Sequence, residues 1–488
     1  MIKLITKIKA RRLRRVMRGY RVLRQSGQIN LIAKVKEALS ENRLGLTNMH
    51  FSPYLMGENG YLVGEIVVRQ YLLVRVGGYG LNQALLFAFG KPGGKVIYPL
   101  PKTWRKTITN QGVDVANLRS SLLWQLYICL ALLYGIFQIA KIFFSGFKSL
   151  IHKRVKQKKY IYFVNLSLSN LPLGGATQKS HDIISWYLQW KGKIKNIGAI
   201  HHSVPDVSVK SINEVDLVFQ KEILPPLIGW TAIFKYAFWG INASFIALLD
   251  CFRGRWWHAL MLNQAAQSEQ VRCLQSEFLA DEYLFHNSGW IYRPLWTYDA
   301  EKAGSIITFY FYSTNCEPFK NRDEYDPVPY GWNAISWSRY LVWDDYQADF
   351  IRRLIGDTAN IVITGPIWFS GRLAKIKKTQ ALNVAIFDVT PIRSSTFSMQ
   401  GQRSEFYTPA VTNPFLEHIL NATRQYDFDI LWKRKRNIGR IAHPFYRHLA
   451  DQLANNKHVI LVAPEISAIH VIESSVAVIS MPFTSTAL

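Results

Sequence analysis

The sequence predicts an α/β protein built from two doubly wound, Rossmann-type parallel sheets in succession, preceded by a basic and apolar N-terminal region. Three observations carry that reading. From residue 159 short β-branched apolar runs alternate with helical segments, as in KYIYFVNL, SHDIISWYLQW and NIGAIHH. The alternation resumes after ANIVITGP with LNVAIFDV, FDILWKRKR, VILVAPEI and VAVISMP, separated by NPFLEHILNATRQY and HPFYRHLADQLAN. These strand runs are continuously apolar, the pattern of strands covered by helices on both faces. With 488 residues and 49% hydrophobic side chains, the chain can hold two or three domains with separate cores. The expected divisions are 1–150, 151–355 with an apolar insertion at 223–252, and 356–488.

The first 24 residues hold ten Lys or Arg and no acid, interleaved with Leu4, Ile5, Ile8, Leu13, Val16, Met17 and Tyr20. That spacing predicts a basic amphipathic helix on an anionic membrane surface, with a nucleic-acid arm or an ordinary basic surface helix as the alternatives, and no uncharged core follows to make it a cleavable secretory leader. Between residues 50 and 110, IVVRQYLLVRV reads as strands and KPGGK as a turn, giving a small α/β region. Residues 122–144, LLWQLYICLALLYGIFQIAKIFF, are long enough to cross a bilayer. A second apolar stretch, 223–252, is broken by Pro225, Pro226, Lys235 and Asp250. Two simple spans would set Lys148, Lys153, Arg154, Lys156, Lys158 and Lys159 opposite the still more basic N-terminus, against the positive-inside bias. In-plane or re-entrant membrane helices, or buried core helices, fit the charges better. The expectation is therefore peripheral or monotopic attachment at the cytoplasmic face, with a span over 122–144 as the alternative.

A formal charge of +26 calls for an anionic partner: nucleic acid, anionic lipid or a phosphorylated substrate. The aromatics sit in apolar runs and do not interleave with Lys and Arg as a stacking platform would, so nucleic acid is not expected. Cys129, Cys251, Cys273 and Cys316 stand far apart, which predicts a reducing compartment and no disulfide framework or zinc site, and two of them lie in or beside apolar segments, where a buried thiol is expected.

In the first block, polar residues gather at strand ends and in the loops after them. His181, Asp182, His202 and Asp206 are candidates for a general base by position. His201 and His202, being adjacent on a strand, point to opposite faces without a clear third ligand, so no metal is expected. RYLVW reads as a strand and DDYQADFIRRLI as a helix capped by Asp344 or Asp345. ANIVITGP then opens the second block.

There DFDILWKRKR runs into Lys433, Arg434, Lys435 and Arg436. Alternate residues of a strand face opposite ways, so a fully buried strand cannot hold all four, and they must emerge at its carboxyl end. VAVISMP breaks at Pro482 into FTSTA, which sets Ser480, Thr484, Ser485 and Thr486 where a strand hands over to a helix. Free N–H groups at such a helix start make an anion site. Parallel strands would bring the cations and the hydroxyls to one edge. The plain alternative is a solvated KRKR turn and an ordinary N-cap. The chain stops six residues past Pro482, so the helix that FTSTA should open is missing and the sequence reads as a fragment of a longer product.

ISMPFTSTA, with ILWKRKR before it, resembles the signature of the bacterial polysaccharide biosynthesis PFTS motif proteins. The likeness extends upstream through YRPLWTY, FYFYSTN, YLVWDDYQADFI and VITGPIWFS. It implies a GT-B-like glycosyltransferase of surface polysaccharide assembly at the inner membrane, with a nucleotide-sugar donor, a polysaccharide or lipid-linked acceptor, and no metal or other cofactor. On that reading Lys433, Lys435 and Arg436 neutralise the leaving phosphate, while Ser480, Thr484, Ser485 and Thr486 hydrogen-bond its oxygens. The spacing is also similar to transferases of CMP-activated acidic sugars, which hold the donor phosphate with a Lys-X-His-Pro strand end. Here the pair is His443-Pro444, displaced beyond the expected strand end. The rivals are a degenerate, non-catalytic assembly protein of the same fold and a nucleic-acid-binding protein.

Overall fold

The structure, a computed structural model, describes the chain except at residues 1, 43, 47–49, 152–158, 173–181, 192–197, 206, 208, 213, 289–291, 314–324, 326–327, 329–331, 333–334, 368–381, 401–406, 427, 435–441, 464–465, 467 and 482–488. It describes backbone alone at 2–10, 61, 169 and 398–400.

The first third is helical: α1 (Ile2–Gln25), α2 (Leu31–Glu41), α3 (Pro53–Met56), α4 (Asn59–Tyr71, continued by a π turn over Leu72–Val76), α5 (Tyr79–Phe89), α6 (Lys102–Asn110) and α7 (Asn117–Ile151). Among its described residues the β structure is limited to one bridge, Val96 to Val115. This corrects the small α/β region and the strands expected over IVVRQYLLVRV. There Val67, Val68, Leu72, Leu73 and Val76 are buried, a spacing of one helix face that a short apolar run does not distinguish from a strand.

The basic helix α1 is also used differently from expectation. Val16, Tyr20 and Leu23 are buried in the protein core instead of being free to enter lipid. Its glycine makes the contact with α5: a Cβ on Gly19 would lie 1.8 Å from the Leu86 carbonyl oxygen, and one on Gly90 would lie 2.3 Å from that of Arg15. Backbone meets backbone, so neither neighbour can yield by rotating a side chain. Gly19→Val is accordingly expected to cost about 3 kcal/mol, the upper range for overpacking. Denaturant unfolding checks this, and an unchanged midpoint would mean that α1 does not dock on α5.

The first sheet is formed by β1 (Tyr160–Phe163), β2 (Ala199–His202) after α8 (Ile183–Lys191), β3 (Ser211–Ile212) and β4 (Val215–Phe219). After α9 (Trp230–Phe252) and α10 (Trp256–Arg272) it continues with β5 (Glu282–His286), α11 (Trp296–Lys302), β6 (Ile306–Tyr310), β7 (Arg339–Val342), α12 (Asp345–Ile355) and β8 (Ile361–Ile363). The strand order is β3-β4-β2-β1-β5-β6-β7-β8, and the pairs are parallel except that of β3 with β4. The chain thus winds outward from β1 to one side, crosses back, and winds outward from β5, which puts the topological switch between β1 and β5. β8, within ANIVITGP, pairs with β7 and so closes this sheet instead of opening the next. Asp344 caps α12 as expected, accepting from Gln347 N at 2.9 Å.

The second sheet contains β9 (Asn383–Asp388), α13 (Ser394–Gln400), α14 (Pro409–Gln425), β10 (Asp429–Arg434), α15 (Pro444–Ala454), β11 (Val459–Val462), α16 (Ala468–Glu473) and β12 (Ala477–Ser480). It is parallel in the order β11-β10-β9-β12, with its switch between β9 and β12.

The two apolar stretches are α7 and α9, each long and apolar enough to cross a membrane; the pair Leu62–Val76 and Tyr79–Phe89, bent by 53°, passes the same test together. Along α7, Trp124, Ile128, Leu132, Ile139 and Ile142 are buried, and Gly135 lets Leu262 of α10 approach. Its other face leaves Leu122, Leu126, Leu130, Leu133 and Phe137 exposed, as α9 leaves Phe234, Phe238, Ile241 and Phe245. Exposed apolar faces of this extent are rare in a protein surrounded by water. Cys129 is exposed too, against the expectation of a buried thiol.

Candidate functional site

Each sheet presents polar residues at the carboxyl ends of its strands beside its switch point, where open α/β sheets bind ligands. In the second sheet Lys433 of β10 and Ser480 of β12 lie in register with Phe387, on either side of β9. The sheet therefore brings Lys433 and Ser480 to one edge, two strand spacings or about 10 Å apart. Lys433 lies inside the strand and is only 9% exposed, so the cations do not all emerge beyond it. Arg434 comes next, its guanidinium 5.4 Å from the Trp432 ring and its backbone in register with Asp388. Ser480 Oγ donates to the Met481 carbonyl at 3.3 Å. Lys435, Arg436, Thr484, Ser485 and Thr486 lie outside the described residues.

Asp388 closes β9 at this edge. It is buried, accepts from the Tyr446 hydroxyl through Oδ2, and leaves Oδ1 unpartnered among the described residues. Burial pushes its pKa up to about 6 against the opposing pull of Tyr446, the Trp432 indole and Arg434. The loop that follows is held by His443 N donating to Pro391 O at 2.9 Å. His443 thus lies beside the loop that follows β9, and its Nδ1 accepts from Phe445 N at 3.3 Å and caps α15. Burial and the neighbouring Arg393 hold its pKa below the usual value.

In the first sheet His202 of β2 and Leu284 of β5 flank Phe163 of β1, so His286, two residues past Leu284, shares a face with His202. Their hydrogen bonds assign opposite tautomers. His202 Nδ1 accepts from Val204 N at 3.3 Å, which leaves a buried Nε2–H without a partner among the described residues. His286 Nε2 donates to the Asn165 carbonyl at 3.3 Å, which leaves a buried Nδ1 lone pair without a partner among the described residues. Asn165, at the end of β1, adopts a left-handed φ of 57°. Beside His286, with ring centroids 5.7 Å apart, Tyr310 of β6 buries a third group unpartnered among the described residues, its hydroxyl. Burial lowers both imidazole pKa values, so both rings are neutral at pH 7. Unpaired buried polar atoms each cost about 1–3 kcal/mol. Three at one switch point form a donor and acceptor set available to a ligand.

The base candidates fare unevenly. His202 presents a proton, not a lone pair, so it suits donation better than proton abstraction. Asp182 is a helix cap: Oδ1 accepts from Ser185 N at 2.8 Å and Oδ2 from Ser185 Oγ at 2.7 Å, at the start of α8. His181 and Asp206 lie outside the described residues. His286 and Tyr310 were not singled out by sequence reasoning. Their signal was a polar ending on EYLFHNS and FYFYSTN, which acquires meaning once β5 is known to lie beside β1.

No curated protein and no solved structure matches the chain. The family model for the polysaccharide biosynthesis PFTS motif protein matches residues 239–488, from within α9 through β12, and the chain belongs to that family.

Proposed function

We propose that the protein is a GT-B-type glycosyltransferase that moves a sugar from a nucleotide-sugar donor to a growing surface polysaccharide or lipid-linked acceptor. The observation that carries this reading is the switch edge of the second sheet, where Lys433, Arg434 and Ser480 flank the end of β9. In transfer, the acceptor hydroxyl gives its proton to His286 Nδ1 as its oxygen bonds to the anomeric carbon. The bond from that carbon to the donor phosphate breaks, and the nucleotide departs with the electron pair. Fixed cations and hydroxyl donors stabilise the charge that develops on it without a bound metal. His202 Nε2–H supplies a further donor on the acceptor side. The outward faces of α7 and α9 seat the protein in the interfacial region of the bilayer, on its cytoplasmic side.

Isothermal titration of the full chain with CMP, UDP and GDP, and with their sugars, tests the donor site. One nucleotide should bind, and Lys433→Ala and Thr484→Ala should each weaken it about tenfold or more, roughly 1.4 kcal/mol. Folded protein that binds no nucleotide would sink the transferase reading in favour of a non-catalytic assembly role.

A further inference from the structure

A groove of about 1100 Å³ runs beside α1, where Arg11, Arg12, Arg15, Lys91, Lys95 and Arg119 surround Phe87, Ile97 and Leu118. A second, of about 840 Å³, shares Arg11, Arg15 and Lys91 and adds Arg14, Arg18, Arg21 and Arg393. None of these cations forms an ion pair with a carboxylate among the described residues. Arg15 is held in place by donating from Nε to the Phe87 carbonyl at 3.0 Å while lying 3.9 Å from that ring's centroid. So many uncompensated cations repel one another, and an anion relieves that repulsion.

Charge alone suits any polyanion, and the surroundings of the grooves narrow the choice. At one end stands Leu118, 75% exposed, followed by Leu122 at 62%, where the outward apolar face of α7 begins. At the other end is Arg393, in the loop leaving β9 and close enough to His443 to lower its pKa. The cationic track therefore joins a lipid-compatible helix face to the candidate donor edge. A molecule with a phosphate head and a long hydrocarbon chain matches both ends at once.

We propose that this groove binds the terminal phosphate or pyrophosphate of a lipid, with α7's outward face against its hydrocarbon chain. α1, docked through Gly19, is then a wall of that site and not a membrane anchor. That the lipid is the acceptor's carrier rests on the transferase reading; the lipid site itself does not.

The test uses the full chain and phosphatidylcholine vesicles containing a minor fraction of long-chain isoprenyl monophosphate. A parallel set carries phosphatidylglycerol at matched surface charge, and soluble pyrophosphate is titrated separately. Binding to the monophosphate vesicles should exceed binding to the phosphatidylglycerol vesicles by about tenfold or more. Lys91→Ala/Lys95→Ala/Arg119→Ala should weaken the former on the order of a hundredfold, as expected for three cations near a membrane surface. Leu122→Asn/Leu126→Asn should weaken vesicle binding but leave pyrophosphate binding unchanged. Equal binding to both vesicle types would reduce the groove to a generic anionic-surface contact. Pyrophosphate binding as tight as lipid binding would make it a site for a free phosphate, and either result overturns the proposal. The nucleotide titration is independent: its failure removes the transferase reading while a selective lipid response leaves this site standing, and the reverse outcome separates the two equally well.

Discussion

Alanine at His286 is expected to lower sugar transfer by about 10²- to 10⁴-fold, the usual effect of losing a general base, with nucleotide affinity unchanged. The expectation rests on tautomer chemistry. The Asn165 carbonyl can only accept, so His286 carries its proton on Nε2 and keeps an unoccupied lone pair on Nδ1. His202 is the reverse case, because Val204 N–H can only donate to its Nδ1. His202→Ala should therefore behave as the loss of a transition-state hydrogen-bond donor, a decrease of about 10²-fold or more in kcat. Burial lowers the His286 pKa, so the reactive neutral ring persists below the ordinary value near 6.5. The acid limb of the kcat/KM profile should accordingly fall below pH 6.5. A folded His286→Ala protein with wild-type turnover would exclude His286 as the base.

Asp388→Asn is expected to stabilise the protein by about 3 kcal/mol at pH 8 and to give little gain at pH 4. The folded protein holds the Asp388 proton until about pH 6, against an ordinary carboxyl value of 3.8. A group raised in this way contributes its stability below the unfolded value and loses it as pH climbs through about 6. Across that window the wild type loses stability and the asparagine variant, neutral throughout, does not. Asparagine keeps an oxygen that accepts from Tyr446, so the comparison isolates the charge. Denaturant unfolding of both proteins at pH 4 and pH 8 checks this, and parallel stability curves would refute it. A buried acid at the candidate donor edge, held at such a cost, fits the stability sacrifice common at functional sites.

Local pattern made much of the architecture legible. Apolar runs such as KYIYF, LNVAIF and DILW became strands, and SHDIISWYLQW and HPFYRHLADQLAN contain helices, because helix-covered strands need continuous apolar stretches and helices need a 3.6-residue stripe. The same logic failed at IVVRQYLLVRV, where adjacent apolar residues satisfy both periods. Packing against the surrounding helices selected the helix. It also gave ANIVITGP to the wrong sheet, since a strand's sequence does not name its neighbour.

The sequence by itself determined that Lys433, Arg434 and Ser480 close the apolar strand runs they belong to, that the N-terminus is a basic helix, and that two stretches are apolar enough for a membrane. These are properties of composition and short-range spacing. Tertiary structure alone decided that β9 lies between β10 and β12, which puts Lys433 and Ser480 at one edge, and that β5 lies beside β1, which puts His286 on the face of His202. It likewise turned α1 from a helix suited to a membrane surface into one side of a cationic groove. Strand order and helix docking are set by crossover connections and by which backbones can approach closely, as at Gly19 against Leu86, and those are long-range contacts that local periodicity does not encode.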